Sequence, residues 1–267
     1  MPVEPIIPSQ GQAVLHLFFH LRRDALQGAE GAARDFAARL DAFDQRDGCQ
    51  VLAFSVLGQK ADFGLLALGP DMVALDRFAV DLAASPLGQV LLPAASYVSL
   101  TELSEYTSTE EDEAKRLIEE EGLDPTTDAY EAALRGFRNR MATYAEHRLR
   151  PQLPRRRVIS FYPMSKRREP QQNWYALDFA DRKALMSGHA AVGRRYRGRV
   201  LQLITGSVGL DDWEWGVTLL ADDPAAIKQI VYDMRFDAVS SVYADFGPFV
   251  TGLIMPPMDL MRHLSVM

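Results

Sequence analysis

The sequence predicts an α+β protein made of two similar halves, and three observations predict it. Short apolar runs and amphipathic stretches follow the order strand-helix-strand-strand-helix-strand, and that order occurs twice. The junction Ala61-Asp62-Phe63-Gly64-Leu65-Leu66-Ala67-Leu68-Gly69-Pro70 has a counterpart in Glu214-Trp215-Gly216-Val217-Thr218-Leu219-Leu220-Ala221-Asp222-Asp223-Pro224. A polar stretch, acidic at Glu110-Glu111-Asp112-Glu113, separates the two. The repeated order is the ferredoxin-like one. Two such repeats, their four-stranded sheets packed face to face, give a dimeric α+β barrel.

In the first half, 1–103, Ala13 to Leu21 reads as a buried strand with His16 and His20 on one face. Gly31 to Phe43 reads as a helix carrying Phe36, Leu40 and Phe43 at helical spacing. Asp47-Gly48 signals a turn into the strand Gln50 to Leu57, and Ala61 to Leu68 is its hairpin partner. Pro70 or Asp71 opens a helix to about Ala84, and Tyr97 to Leu103 closes the unit as a strand.

The connector, 104–155, ends in a helix over Tyr130 to Arg150 that Pro151 and Pro154 stop; no role is assigned to 104–128. The second half, 156–255, starts with the strand Arg157 to Tyr162. Asp178 is placed to cap a helix over Phe179 to Tyr196, and Gly198 stops it. Val200 to Gly206 and Trp213 to Leu220 form a hairpin whose Trp213 and Trp215 share a face. Pro224 starts a helix to about Ala244, Phe249 to Ile254 is the last strand, and 256–267 is a C-terminal tail.

Composition narrows the function. A net charge of -7 argues against nucleic-acid binding. The single cysteine, Cys49, excludes a disulfide framework and a cysteine metal cluster. Met1-Pro2-Val3-Glu4-Pro5 carries no leader signature, and no segment approaches the ~18 uninterrupted apolar residues of a membrane span. The expectation is a cytoplasmic protein that contacts neither membrane nor nucleic acid.

Several residues could carry chemistry. His189 shares a helix face with Leu185, Met186, Val192 and Tyr196, with Gly188 and Gly193 nearby. A helical histidine is most often a core residue, but imidazole is also the common axial ligand of haem iron. Tyr162 precedes Pro163, which holds it extended, and Lys166, Arg167 and Arg168 follow. Arg148, Arg194 and Arg235 add guanidinium groups, whose forks suit carboxylates, although surface placement explains them as well. His16, His20, His147 and His263 show no ligand spacing.

Together these blocks carry a resemblance. Tyr162-Pro163-Met164-Ser165-Lys166-Arg167-Arg168, Asn173-Trp174-Tyr175, His189, Gln202-Leu203-Ile204-Thr205-Gly206-Ser207, Asp211-Asp212-Trp213-Glu214-Trp215-Gly216 and Tyr232-Asp233-Met234-Arg235-Phe236-Asp237 closely resemble the chlorite dismutase superfamily. The match covers about 150–255, while the first half fits in layout and in Gly58-Gln59-Lys60-Ala61-Asp62-Phe63-Gly64. Within the superfamily the chain resembles the branch that decarboxylates coproheme.

The resemblance implies a homopentamer with a porphyrin in the second half. His189 then matches the iron ligand, Tyr162 a radical-forming tyrosine, and Lys166 the lysine near the second reactive propionate. Arg148, Met164, Arg194 and Arg235 match residues lining the pocket. Gln202 stands where chlorite-degrading members carry an arginine, which favours decarboxylation over chlorite chemistry. The implied reaction converts Fe-coproporphyrin III to haem b with hydrogen peroxide, and transient contact with coproporphyrin ferrochelatase is implied as a partner. A chlorite dismutase-like or peroxidase-like haem protein and a non-catalytic haem carrier are the alternatives.

Overall fold

The computed structural model describes residues 4–26 and 28–267; Met1 to Val3, part of the segment read for a leader, and Gln27 lie outside them. The first half contains β1 (Ala13–Leu21), α1 (Glu30–Asp44), β2 (Gln50–Val56), β3 (Phe63–Gly69), α2 (Met72–Ala83) and β4 (Leu91–Thr101). Two helices follow, α3 (Glu110–Glu119) and α4 (Asp128–Leu149). The second half contains β5 (Val158–Lys166), α5 (Phe179–Arg194), β6 (Val200–Gly206), β7 (Trp215–Ala221), α6 (Pro224–Met234), α7 (Ala238–Ser241), β8 (Ala244–Phe246) and β9 (Val250–Met255), and α8 (Pro257–His263) ends the chain's regular structure.

All strand pairs are antiparallel. The first half pairs in the order β4-β1-β3-β2 and the second as β9-β5-β7-β6. Because β2 joins β9 and β4 joins β6, the pairing returns on itself, with β8 added beside β5. One face of these strands fills a shared interior: Val14, Phe18, Phe54, Leu66 and Tyr97 meet Ile159, Phe161, Leu203 and Leu220. His16 is sealed there, stacked on Phe161 at 4.1 Å and hydrogen-bonded through Nε2 to Thr218 Oγ1 at 2.8 Å. Burial drives its imidazole down to about 3, so it is neutral at ordinary pH.

The helices cover the outer face of each half, and they cover the two halves unequally. Helix α1 buries Ala33, Phe36, Ala37, Leu40 and Phe43, α2 adds Phe78 and Leu82, and α8 adds Leu260 and Met261. Helix α6 buries Ala226, Ile227 and Ile230 against one end of the second half. Helix α5 buries only Gly193.

Several local expectations need correction. Strand β4 begins at Leu91 rather than Tyr97: its first part is exposed on both faces, so no alternation marks it, yet it pairs with β1 across a bulge at Phe18/Phe19. Tyr162 is not at a strand end, because β5 runs through Pro163 to Lys166. The proline falls where β5 changes partner from β9 to β8, and its carbonyl accepts from the Gly247 amide. Asp178 stands at the N-cap of α5, but its side chain makes no capping hydrogen bond. The helix from Pro224 stops at Met234 because Asp237 caps a new turn, its carboxylate accepting from the Ser240 amide at 3.0 Å.

Trp213 and Trp215 do not share a face. Strand β7 starts only at Trp215, whose Nε1 donates to Glu102 at 2.9 Å, while Trp213 packs toward the shared interior. Acidic residues 110–113 form the first turn of α3, where negative charge favours a helix start and Thr109 and Asp112 cap each other.

Candidate active site

Register decides which side chains meet. Tyr162 lies opposite Val217 and Met164 opposite Trp215, while across β7 Gln202 lies opposite Leu219 and Ile204 opposite Val217. Residues directly opposite share a face, and side chains two apart on a strand do as well. Tyr162, Met164, Lys166, Gln202 and Ile204 therefore occupy one face, the outer one beneath α5 and α6. The packing agrees: Tyr162, Val217 and Leu219 belong to one cluster with Met164, Ile204, Met234, Phe246 and Phe249 at its margin.

That margin is open. Leu185, Met186, His189 and Val192 of α5 are half-buried, as are Met164, Gln202, Ile204 and Trp215 on the sheet below. The expectation that His189 sits on a buried face is thus met in direction and corrected in degree: its side chain is 25% exposed. The imidazole is held by one contact, Nδ1 to Asp237 Oδ2 at 2.9 Å, and Nε2 has no hydrogen-bond partner among the described residues. Burial pushes the Asp237 carboxyl up, but the His189 contact, the Ser240 amide and the Lys166 charge outweigh it, and its pKa lies below the usual range. A histidine with one nitrogen anchored on a carboxylate and the other free is prepared to ligate a metal.

Lys166 ends β5 as a buried lysine, 7% exposed. Its Nζ sits 4.1 Å from the centroid of Trp174 and has no hydrogen-bond or ion-pair partner among the described residues. Desolvation lowers it to about 8, against the opposing charges of Asp237 and Glu214. Glu214 also accepts from the Lys166 backbone amide at 2.7 Å, which fixes the strand end. Tyr162 is stacked on Phe249 at 4.2 Å, and burial pushes its phenol up to about 12, so it stays protonated. Arg235 lies over Phe246 at 3.8 Å, and Phe246 borders Tyr162. Gln202 donates from Nε2 to the Gly193 carbonyl at 3.3 Å, bridging sheet and α5.

His189, Lys166, Tyr162, Arg235, Met164 and Gln202 are therefore connected through shared neighbours. Arg148 and Arg194 are not. Arg148, in the last turn of α4, has a buried Nε without a hydrogen-bond partner among the described residues, and Arg194, in the last turn of α5, is exposed. Sequence reasoning missed three supports: Asp237, Trp174 and Glu214. Asp237 was detectable, since Asp237-Ala238-Val239-Ser240 has the spacing of a helix cap.

The chlorite dismutase family model matches residues 29–255. The chain belongs to the chlorite dismutase family. A protein of Natronomonas pharaonis named as a candidate haem-binding protein is 38% identical over 266 residues. The match takes in 96% of this family member and 41% of that protein, so the chain spans about two fifths of the curated relative's length. A solved structure from Thermus thermophilus, described as a novel haem-binding protein, superposes with a TM-score of 0.77 at 33% identity over 99% of each chain. A mutant chlorite dismutase from Candidatus Nitrospira defluvii superposes with a TM-score of 0.72 at 15% identity over 97% of each chain, a likeness of fold alone. Among the described residues no helix is long and apolar enough to cross a membrane.

Proposed function

We propose that this chain binds ferric coproporphyrin III between α5 and the outer face of the second half, and oxidatively decarboxylates two of its propionates to give haem b. One observation carries the reading: Tyr162 and Lys166, a protonated phenol and a buried amine, share the strand face beneath α5 with the half-buried Met164 and Gln202, and α5 carries a histidine with a free Nε2. Two relatives named for haem binding support the porphyrin.

The donor set fits such a ligand. His189 would hold the iron, with Asp237 fixing the ring. Lys166 and Arg235 offer positive charge to carboxylates, while Arg148 and Arg194, which share no neighbour with them, would serve only carboxylates that reach the last turns of α4 and α5. Met164 and Ile204 provide apolar contact. The bound iron supplies oxidising equivalents from peroxide. Each round consumes one peroxide and one proton, and converts a propionate to a vinyl group, carbon dioxide and two waters. The protein's part is to hold Tyr162 so that its phenol gives up a hydrogen atom and the resulting radical takes one from the propionate β-carbon. Lys166 would offer its ammonium to the second propionate. Gln202 is neutral and cannot retain a hypochlorite anion by charge, which supports decarboxylation over chlorite degradation.

The same proposal includes a duplicated ferredoxin-like barrel with 1–103 and 156–255 as its halves, a homopentamer, transient contact with coproporphyrin ferrochelatase, and a cytoplasmic location. The matching pair orders of the two halves support the duplication. The test is to add ferric coproheme, titrate with peroxide and follow the porphyrin by mass spectrometry. Two successive losses of carbon dioxide with two hydrogens, through a mono-vinyl intermediate, are expected. Tight binding without mass change would favour a haem carrier, and absence of binding would remove the His189 assignment.

A further inference from the structure

The connector packs an aromatic side chain against the site. Tyr106, five residues beyond β4, meets Trp174 edge-on with ring centroids 6.2 Å apart and stacks on Phe179, the first residue of α5, at 5.7 Å. Its hydroxyl accepts from Arg182 Nε at 3.1 Å, and Arg182 also donates from Nη1 to the Leu177 carbonyl at 2.6 Å. A second tie lies close by: Lys183 Nζ donates to Asp112 Oδ2 at 2.6 Å. Trp174 is 2% exposed, has Tyr243 on its other flank at 5.6 Å, and presents its ring to the Lys166 ammonium.

Those contacts join two supports that are otherwise separate. Lys166 has no acceptor among the described residues, so the face of Trp174 is its one close source of electron density, while Asp237 and Glu214 act from farther off. His189 rides on α5 ten residues beyond Phe179, and α5 has almost no buried side chains of its own to hold it against the sheet. A helix with so few packed residues takes its position from its ends. Here the first end is held by Tyr106.

We propose that Tyr106 is a positioning residue, which seats Trp174 beneath the Lys166 ammonium and pins the start of the helix that carries His189. The role for Lys166 in propionate chemistry rests on the proposed function; the seating itself does not. Without Tyr106, the Trp174 ring is free to tilt, and the ammonium loses its aromatic face in a site that otherwise disfavours charge. Lys166 then gives up its proton at lower pH.

The test separates these two layers. The chain has five lysines, so in the ligand-free protein their side-chain amines can be followed by NMR against pH, with Lys166→Arg identifying the Lys166 signal. Tyr106→Ala should lower the Lys166 midpoint by about half a pH unit or more, given the ordinary strength of a cation-π contact. Tyr106→Phe should leave it in place, and Trp174→Leu should give at least the Tyr106→Ala shift. If Tyr106→Ala does not fold, Tyr106→Leu is read the same way. A folded Tyr106→Ala with an unmoved Lys166 midpoint, whatever Trp174→Leu does, overturns the proposal. In the peroxide assay the alkaline limb of coproheme conversion should move down with the midpoint. A wild-type protein that binds coproheme without converting it would remove the decarboxylase reading and leave the seating of Lys166 to be decided by the titration.

Discussion

Helix α1 sets Ala33, Phe36, Ala37, Leu40 and Phe43 into the outer face of the first half, whereas α5, at the same place in the second, buries Gly193 alone. Both helices follow the opening strand of a sheet with the same pair order. The first half gains further cover from α8, which follows β9 and crosses to α1. Among the described residues no equivalent helix returns to the second half. Each large apolar side chain fully buried contributes about 1.5–3 kcal/mol, so a layer left half-buried forgoes stability that its counterpart gains. The difference separates two kinds of layer within one plan: the outer layer of the first half is filled, whereas in the second Met164, Gln202 and Ile204 stay half-buried beneath a helix that sets no large side chain fully into the sheet.

If the open layer is the reactive one, its largest response should come from the phenol. Tyr162→Phe keeps the ring stacked on Phe249 and removes the O–H, so coproheme binding should stay within about twofold while conversion falls about a thousandfold or more, roughly 4 kcal/mol in barrier. Conversion at the wild-type rate would exclude the radical assignment. The filled layer should behave in the opposite way. Phe36→Ala removes a fully buried ring and should cost about 3–5 kcal/mol in urea unfolding, with the affinity of the folded fraction unchanged. A loss of affinity at constant stability would mean that the two layers are not independent.

Asp237→Asn tests the support behind the free imidazole nitrogen. It keeps the size of the group and removes its charge, and loss of such a partner commonly costs about 10–100-fold in metal affinity. Ferric coproheme titration by absorbance measures it. The pH response of Lys166 is smaller and has a definite sign. Its folded-state value of about 8 lies below that of a free lysine, so the fold carries a penalty below pH 8 that fades as pH rises through that value. A ligand carboxylate reverses the preference by favouring the ammonium. Binding should be strongest below pH 8 and weaken above it by at most about tenfold per pH unit, with uptake of up to one proton. Proton uptake measured by calorimetry in buffers of different ionisation enthalpy checks this, and the Lys166→Met variant should lose that slope.

Most elements were legible because periods of two and 3.6 residues mark half-covered strands and helices. Those signals fail where both faces share one environment, as in the first part of β4, or where a rule is broken for a tertiary reason, as at Pro163. The site was legible in part. Helical spacing put Leu185, Met186, His189 and Val192 on one face, and register does place Tyr162, Met164 and Gln202 opposite. What spacing cannot reveal is the gap, since an apolar stripe reads alike whether or not its partner side chains reach it. Nor can it reveal Trp174 beneath Lys166, because that contact joins a turn to a strand end through the return of the chain at Tyr243.

Gly193 gives the finest probe of the gap. As the one buried residue of α5, it lies where the helix comes closest to the sheet, and a methyl there would stand 3.2 Å from Gln202 Nε2 and 3.3 Å from Met234 Cε. Ala is favoured over Gly inside a helix by about 1 kcal/mol. Both obstructing atoms are ends of flexible side chains, and small shifts relieve them at a cost of similar size. Gly193→Ala should therefore change stability by no more than about 0.5 kcal/mol, while it pushes Gln202 toward the cleft and weakens coproheme binding a few-fold. A variant stabilised by the full helix preference with unchanged affinity would show that α5 has slack at its tightest contact. The opening above the sheet would then be set by the ends of the helix, not by the packing at its middle.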